Sequence, residues 1–176
     1  MRLFIGSFME LKSYAKIKED FSGCITGKWV EPENLHCTLL FLGDQPDESL
    51  ILESLQKMKN TVPTVSLKGL FVLANHVLAV RLEPQEKLKA LYEKILSHLS
   101  FLNLKQEKSF LPHLTLCRIK KIKKLPCSVK LKEYEQTVFE QEVAFQPAII
   151  QSRLTSRGPV YKILTLLASR VPANYS

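Results

Sequence analysis

The hydrophobic and polar positions of Arg2 to Phe8, with Leu3, Phe4 and Ile5 in one apolar run, read as an opening strand, and the period then changes. Leu11, Tyr14, Ile17 and Phe21 recur at helical spacing with lysines and acids between them. A strand followed by a helix is expected. Gly27 to Pro32 reads as a short strand closed by a turn, and Leu35 to Leu42 as an apolar strand that stops at Gly43-Asp44. From Asp47 to about Asn60 a second helical stripe runs through Leu50, Ile51, Leu55 and Met58, ended by Pro63. Strands follow over Val65 to Leu73 and His76 to Leu82, joined near Ala74-Asn75. Pro84 to about Leu99 is the clearest helix, with Leu88, Leu91, Ile95 and Leu99 on one face.

Phe110 to Ile119 is again strand-like and runs into a basic segment, Lys120 to Lys124, closed by Pro126, which offers cations to a phosphate-bearing partner but reads more simply as a solvated loop. Extended runs at Val138 to Ala144 and Ala148 to Leu154, a loop at Thr155 to Pro159 and a run from Val160 to Ala168 suggest a terminal hairpin. Strands and helices mixed in this order point to an α+β domain with antiparallel sheet rather than a parallel, doubly wound one.

Composition narrows the class. The 176 residues suit one domain, residues 1–176, built as one compact unit or as two lobes sharing one core. No stretch reaches the roughly 18 uncharged apolar residues of a spanning helix, and Met1 leads directly into strand sequence without a secretory leader. A soluble, cytoplasmic monomer is the expectation. Cys24, Cys37, Cys117 and Cys127 form no C-x-x-C pair and read as reduced, buried small hydrophobes. The net charge of +8, from 25 Lys and Arg against 17 Asp and Glu, favours an anionic partner without naming one.

The chemistry lies in an internal echo. His36-Cys37-Thr38-Leu39 and His113-Leu114-Thr115-Leu116 both spell H-x-T-L, each on an apolar strand. Side chains alternate along a strand, so each motif presents one imidazole and one hydroxyl on the same face. Brought together, two imidazoles and two threonines make a workable phosphodiester site. Imidazole serves as acid or base near neutral pH, and hydroxyls donate to non-bridging phosphate oxygens. His76 and His98 lack the threonine two residues on and read as ordinary residues. A mixed metal site is the competing use, because simple alternation puts Cys117 on the face of His113, whereas Cys37 faces away from His36.

Trp29 to Asp44 resembles the first signature of the two-histidine (2H) phosphoesterase superfamily. Within it the segment is most similar to the bacterial and archaeal RNA 2′,3′-cyclic phosphodiesterases, also called 2′-5′ RNA ligases. Pro112 to Arg118 is similar to the second signature, and Ser152-Arg153-Leu154 with Gly158-Pro159-Val160-Tyr161 to the C-terminal segment. The resemblance implies a bilobal fold of two antiparallel-rich sheets with helices outside, a central cleft and pseudo-twofold symmetry. It also implies hydrolysis of RNA 2′,3′-cyclic phosphate ends to 2′-phosphates, with no metal and no cofactor. His36 would be the proton donor and His113 the acceptor, with Thr38 and Thr115 on the phosphate. Arg118 matches a family arginine that supports the phosphate or terminal nucleotide, although simple alternation turns it away from His113. Cys37 and Leu40 depart from the usual aliphatic and basic residues at their positions.

Two other readings stand beside this one. ATP-independent 2′-5′ ligation would be the reverse reaction at the same site, and no nucleotide-triphosphate loop suggests an ATP-driven one. A non-catalytic RNA or nucleotide-binding module would keep the cleft as a pocket. Phe4, Phe8 and Phe41 are candidates to stack on a base, but aromatic strand residues are more often core.

Overall fold

The computed structural model describes residues 1–58, 63–104, 110–156 and 158–167. The strands are β1 (Arg2–Phe8), β2 (Ile25–Trp29), β3 (His36–Asp44), β4 (Thr64–Leu73), β5 (Val77–Glu83), β6 (His113–Ile122), β7 (Val138–Ala144), β8 (Ala148–Thr155) and β9 (Gly158–Leu166). The helices are α1 (Tyr14–Phe21), α2 (Ser49–Gln56), α3 (Gln85–His98) and α4 (Lys124–Tyr134). All the strand pairs are antiparallel, in the order β7-β4-β5-β6-β3-β1-β8-β9, with β2 also on β6.

That order contains a repeat. Reading outward from the middle, β3-β1-β8-β9 and β6-β5-β4-β7 are two four-stranded halves. Helix α1 lies in sequence between β1 and β3 as α3 lies between β5 and β6, so the halves have matching β-α-β connections around a pseudo-twofold axis. The two expected sheets are joined at a single residue pair, Cys37 with Leu114, into one nine-stranded sheet. One edge of β6 is thus shared: its first residues meet β3, and Cys117 to Ile122 meet β2. The sheet opens where the two motif strands part.

One face of the sheet is buried by helices. Tyr14, Ile17 and Phe21 of α1, Ile51 and Leu55 of α2, and Leu88, Leu91 and Ile95 of α3 join one core with Leu3, Ile5, Cys37, Leu39, Leu114 and Leu116 of the central strands. Each fully buried leucine or isoleucine there contributes about 1.5–3 kcal/mol. The opposite face keeps only a small cluster, Phe4, Ala148 and Ile150 with Phe8 and Tyr161 against it.

Most elements fall where the pattern puts them. Ala74 and Asn75 take positive φ, 48° and 60°, as a tight hairpin between β4 and β5 requires. Helix α4 is the exception, lying where a basic loop is expected. Lys120 and Lys121 extend β6, and Lys124 opens the helix. Pro126 is tolerated because the N–H groups of the first turn have no partner within the helix; the first such bond runs from Cys127 N–H to the Lys123 carbonyl at 3.1 Å. Leu125 and Val129 stay exposed and only Cys127 is fully buried, so α4 lacks an apolar stripe. The expected tail of the second helical stripe at Lys59 and Asn60, and Ala168 at the end of the last strand, lie outside the described residues.

Candidate active site

The two H-x-T-L motifs open β3 and β6 side by side. The pairing of Cys37 with Leu114 sets an antiparallel register that, carried one residue either way, puts His36 across from Thr115 and Thr38 across from His113. Cys37 and Leu114 point into the core, so the four polar groups share the other face. All four line one cleft of about 760 Å³. A small residue stands opposite each threonine on the neighbouring strand, Gly6 beside Thr38 and Ala79 beside Thr115, which keeps the floor open.

Each imidazole is tethered alike. His36 Nδ1 lies 2.7 Å from the Asn34 carbonyl oxygen, and His113 Nδ1 lies 2.7 Å from that of Leu111. A carbonyl only accepts, so each Nδ1 carries the donated proton and each Nε2 is left for the cleft.

Both motif strands then break their alternation at the same place. In β3, Ile5 pairs with Leu40 and Gly6 with Thr38, leaving Leu39 as an extra residue; in β6, Ala79 pairs with Thr115 and Leu78 with Cys117, leaving Leu116 extra. Such a bulge shifts every later side chain to the opposite face. Leu39 and Leu40 are therefore both buried, as are Leu116 and Cys117, and the next residues, Phe41 and Arg118, turn into the cleft. Arg118 thus joins His113, contrary to simple alternation. Cys117 leaves that face and enters the core, so a shared His113–Cys117 metal site is not formed.

The surroundings of the histidines differ. His36 is ringed by Tyr161, Phe4 and Phe8, with ring centroids 4.9, 5.1 and 5.8 Å away. His113 has Phe71 edge-on at 6.3 Å. Burial among the rings holds the His36 imidazole below its ordinary pKa, and the positive Arg118 and His113 push the same way, against the Asn34 carbonyl. The Tyr161 phenol is raised by burial, with Arg118 opposing.

A model of the 2′-5′ RNA ligase superfamily matches residues 15–138. The chain belongs to that family. It is 34% identical over 178 residues to the RNA 2′,3′-cyclic phosphodiesterase of Aquifex aeolicus, covering 93% of this chain and 95% of the relative. The enzyme of that name from Archaeoglobus fulgidus is 32% identical over 173 residues, covering 93% and 98%. Among solved structures, TT0787 of Thermus thermophilus superposes with a TM-score of 0.75 at 25% identity, over 94% of this chain and 96% of that one. E. coli LigT complexed with 3′-AMP shares the fold, with a TM-score of 0.70 at 19% identity over 94% and 95%.

This member of the ligase superfamily thus places all five expected site residues, His36, Thr38, His113, Thr115 and Arg118, in one cleft. The lysine run does not contribute: none of Lys120 to Lys124 lines it. His76 is exposed in the β4–β5 turn, and His98 is half-buried at the end of α3. Phe4 is buried beneath His36 and Phe41 is 66% exposed, and both line the cleft. Tyr161 had a signal, the Gly158-Pro159-Val160-Tyr161 segment, but no assigned role. The two orienting carbonyls carry no sequence signal, since every residue has one. Among the described residues no three His, Cys, Asp or Glu groups gather as a metal set, and no helix is long and apolar enough to cross a membrane.

Proposed function

We propose that the chain hydrolyses 2′,3′-cyclic phosphates at RNA ends to 2′-phosphates, with His36 and His113 as a metal-independent acid and base. The observation that carries this reading is the matched tethering of the two imidazoles, which leaves two Nε2 atoms for one cleft with a threonine across from each. The relatives named RNA 2′,3′-cyclic phosphodiesterase support the substrate.

The steps follow from that arrangement. Neutral His113 accepts at Nε2 a proton from water as its oxygen attacks phosphorus. The bond from phosphorus to the 3′ oxygen breaks, and that oxygen takes a proton from Nε2 of protonated His36, leaving a 2′-phosphate and a 3′ hydroxyl. Thr38 and Thr115 donate to the non-bridging oxygens, and the Arg118 guanidinium balances the charge that gathers there. The anionic substrate also offsets the repulsion that His36 suffers from Arg118, which favours the protonated imidazole when the cleft is occupied.

The test is a short RNA ending in a 2′,3′-cyclic phosphate, incubated in EDTA without ATP with wild type, His36→Ala and His113→Ala. Wild type should yield the 2′-phosphate, and each variant should lose about 10²–10⁴-fold in rate. An inert wild type, a 3′-phosphate product or fully active variants would overturn the reading.

A further inference from the structure

We infer that Lys28 binds the phosphate on the 5′ side of the terminal nucleoside, so that the preferred substrate is an oligonucleotide rather than a lone nucleoside cyclic phosphate. This rests on the hydrolysis reading above and adds a second phosphate position to it.

Lys28 and Arg118 lie directly opposite each other on β2 and β6. Both are exposed, and both line the cleft. Like charges across an antiparallel pair are destabilising, and among the described residues neither has a carboxylate within ion-pair distance. Among the described residues Glu31 is the single acid lining this cleft, and it makes no such pair with them. Arg2, which also lines the cleft, is placed differently, opposite Asp44. Among the described residues Lys28 and Arg118 are thus a cation pair lacking an anion.

Where the ammonium points gives the pair its direction. A Cβ built on Gly158 would sit 3.3 Å from Lys28 Nζ, so the ammonium reaches from β2 to the tip of the β8–β9 hairpin, which belongs to the other half of the sheet. Gly158, at φ +129°, leaves room for it. Along β6 the order is His113, Thr115, Arg118, and Lys28 stands on the next strand, across from Arg118. Neighbouring strands are about 5 Å apart, comparable to the step between successive phosphates of one nucleic-acid strand. With Arg118 at the reacting phosphate, Lys28 stands one phosphate upstream. An ammonium is a compact charge with rotatable donors, suited to a phosphodiester whose angle varies.

The experiment compares kcat/KM on adenosine 2′,3′-cyclic phosphate, which has no 5′ phosphate, with that on the dinucleotide ApA carrying the same cyclic end. Wild type should prefer the dinucleotide. Lys28→Met should lower that preference about 10-fold, the size of one charge-assisted hydrogen bond. Lys28→Arg should retain most of it. The salt dependence of the dinucleotide rate should lose about 0.7 in logarithmic slope in Lys28→Met, as for one phosphate contact on a single strand. An unchanged preference in Lys28→Met, or an equal loss on both substrates, would overturn the inference. If wild type cleaves neither compound, it is the hydrolysis reading that fails.

Discussion

His36 and His113 are held by the same contact, each directing Nδ1 to a carbonyl oxygen two residues upstream at 2.7 Å. The cleft therefore has two imidazoles of like tautomer, and the contact can be separated from the chemistry. Asparagine keeps an N–H near the place of Nδ1 but has nothing at Nε2. His36→Asn and His113→Asn should unfold within a few degrees of wild type while losing about 10²–10⁴-fold in kcat. Thermal unfolding beside single-turnover kinetics checks this, and an asparagine variant with near-normal kcat would remove the imidazole concerned from the proton transfers.

The aromatic ring around His36 makes a pH prediction with a definite sign. Burial first, then Arg118 and His113, hold this imidazole below its ordinary value of 6.5. Protonated His36 is the competent donor, so the alkaline limb of kcat/KM for the free enzyme is drawn to lower pH. Arg118→Gln removes one cause and should move that limb upward, besides lowering the rate. The same depression bears on stability. Between the folded value and 6.5 the unfolded chain binds more protons, so stability is present above 6.5 and is lost as pH falls through the folded value. His36→Asn should flatten this acid-side fall in Tm, and an unchanged slope would contradict the assignment.

Gly6 faces the cleft between Phe4 and Phe8 and lies beside Thr38 in β3. A Cβ there would come within 2.6 Å of the Cys37 carbonyl oxygen, a backbone atom that cannot yield without moving β3. Gly6→Ala should cost about 1–3 kcal/mol in stability. It should also lower kcat well beyond that effect, since displacing His36 and Thr38 by about 1 Å is enough for a roughly 100-fold loss. Denaturant unfolding with kinetics on the folded fraction tests it; wild-type kcat would mean that β3 accommodates the methyl.

The legible parts of this molecule are those that depend on local alternation. His36 with Thr38, and His113 with Thr115, were readable as pairs because two residues along a strand return to the same face. Arg118 was not readable in that way. Its direction depends on Leu116 being an extra residue against β5, and nothing in Leu114-Thr115-Leu116-Cys117 distinguishes a bulged strand from a regular one. The same break at Leu39 turns Phe41 to the cleft face. Helix α4 is illegible in the sequence for a different reason. A proline at its third residue and exposed leucine and valine deprive it of the amphipathic period, and it is held instead by contacts distant in sequence, such as the Tyr134 hydroxyl to Asp20 of α1. Tyr161 comes to His36 through β9 pairing with β8 and β8 with β1, an assembly no local window contains.

Tyr161 offers the means of separating position from charge at His36. Its ring meets the imidazole edge to face at a centroid distance of 4.9 Å and packs on Phe4 at 5.5 Å. Such a contact contributes about 0.5–1.5 kcal/mol, enough to restrict how the imidazole sits over its carbonyl tether. Tyr161→Phe keeps the ring and should keep kcat within a few fold. Tyr161→Ala opens the cage to water, which should raise the His36 pKa and free the imidazole to swing, lowering kcat about 10-fold while the alkaline limb moves up. The two effects oppose each other near neutral pH, because a larger protonated fraction partly offsets the poorer geometry, so the full pH profile has to be compared. If Tyr161→Phe is as impaired as Tyr161→Ala, the hydroxyl rather than the ring carries the role, and its neighbour Arg118 becomes the group through which it acts.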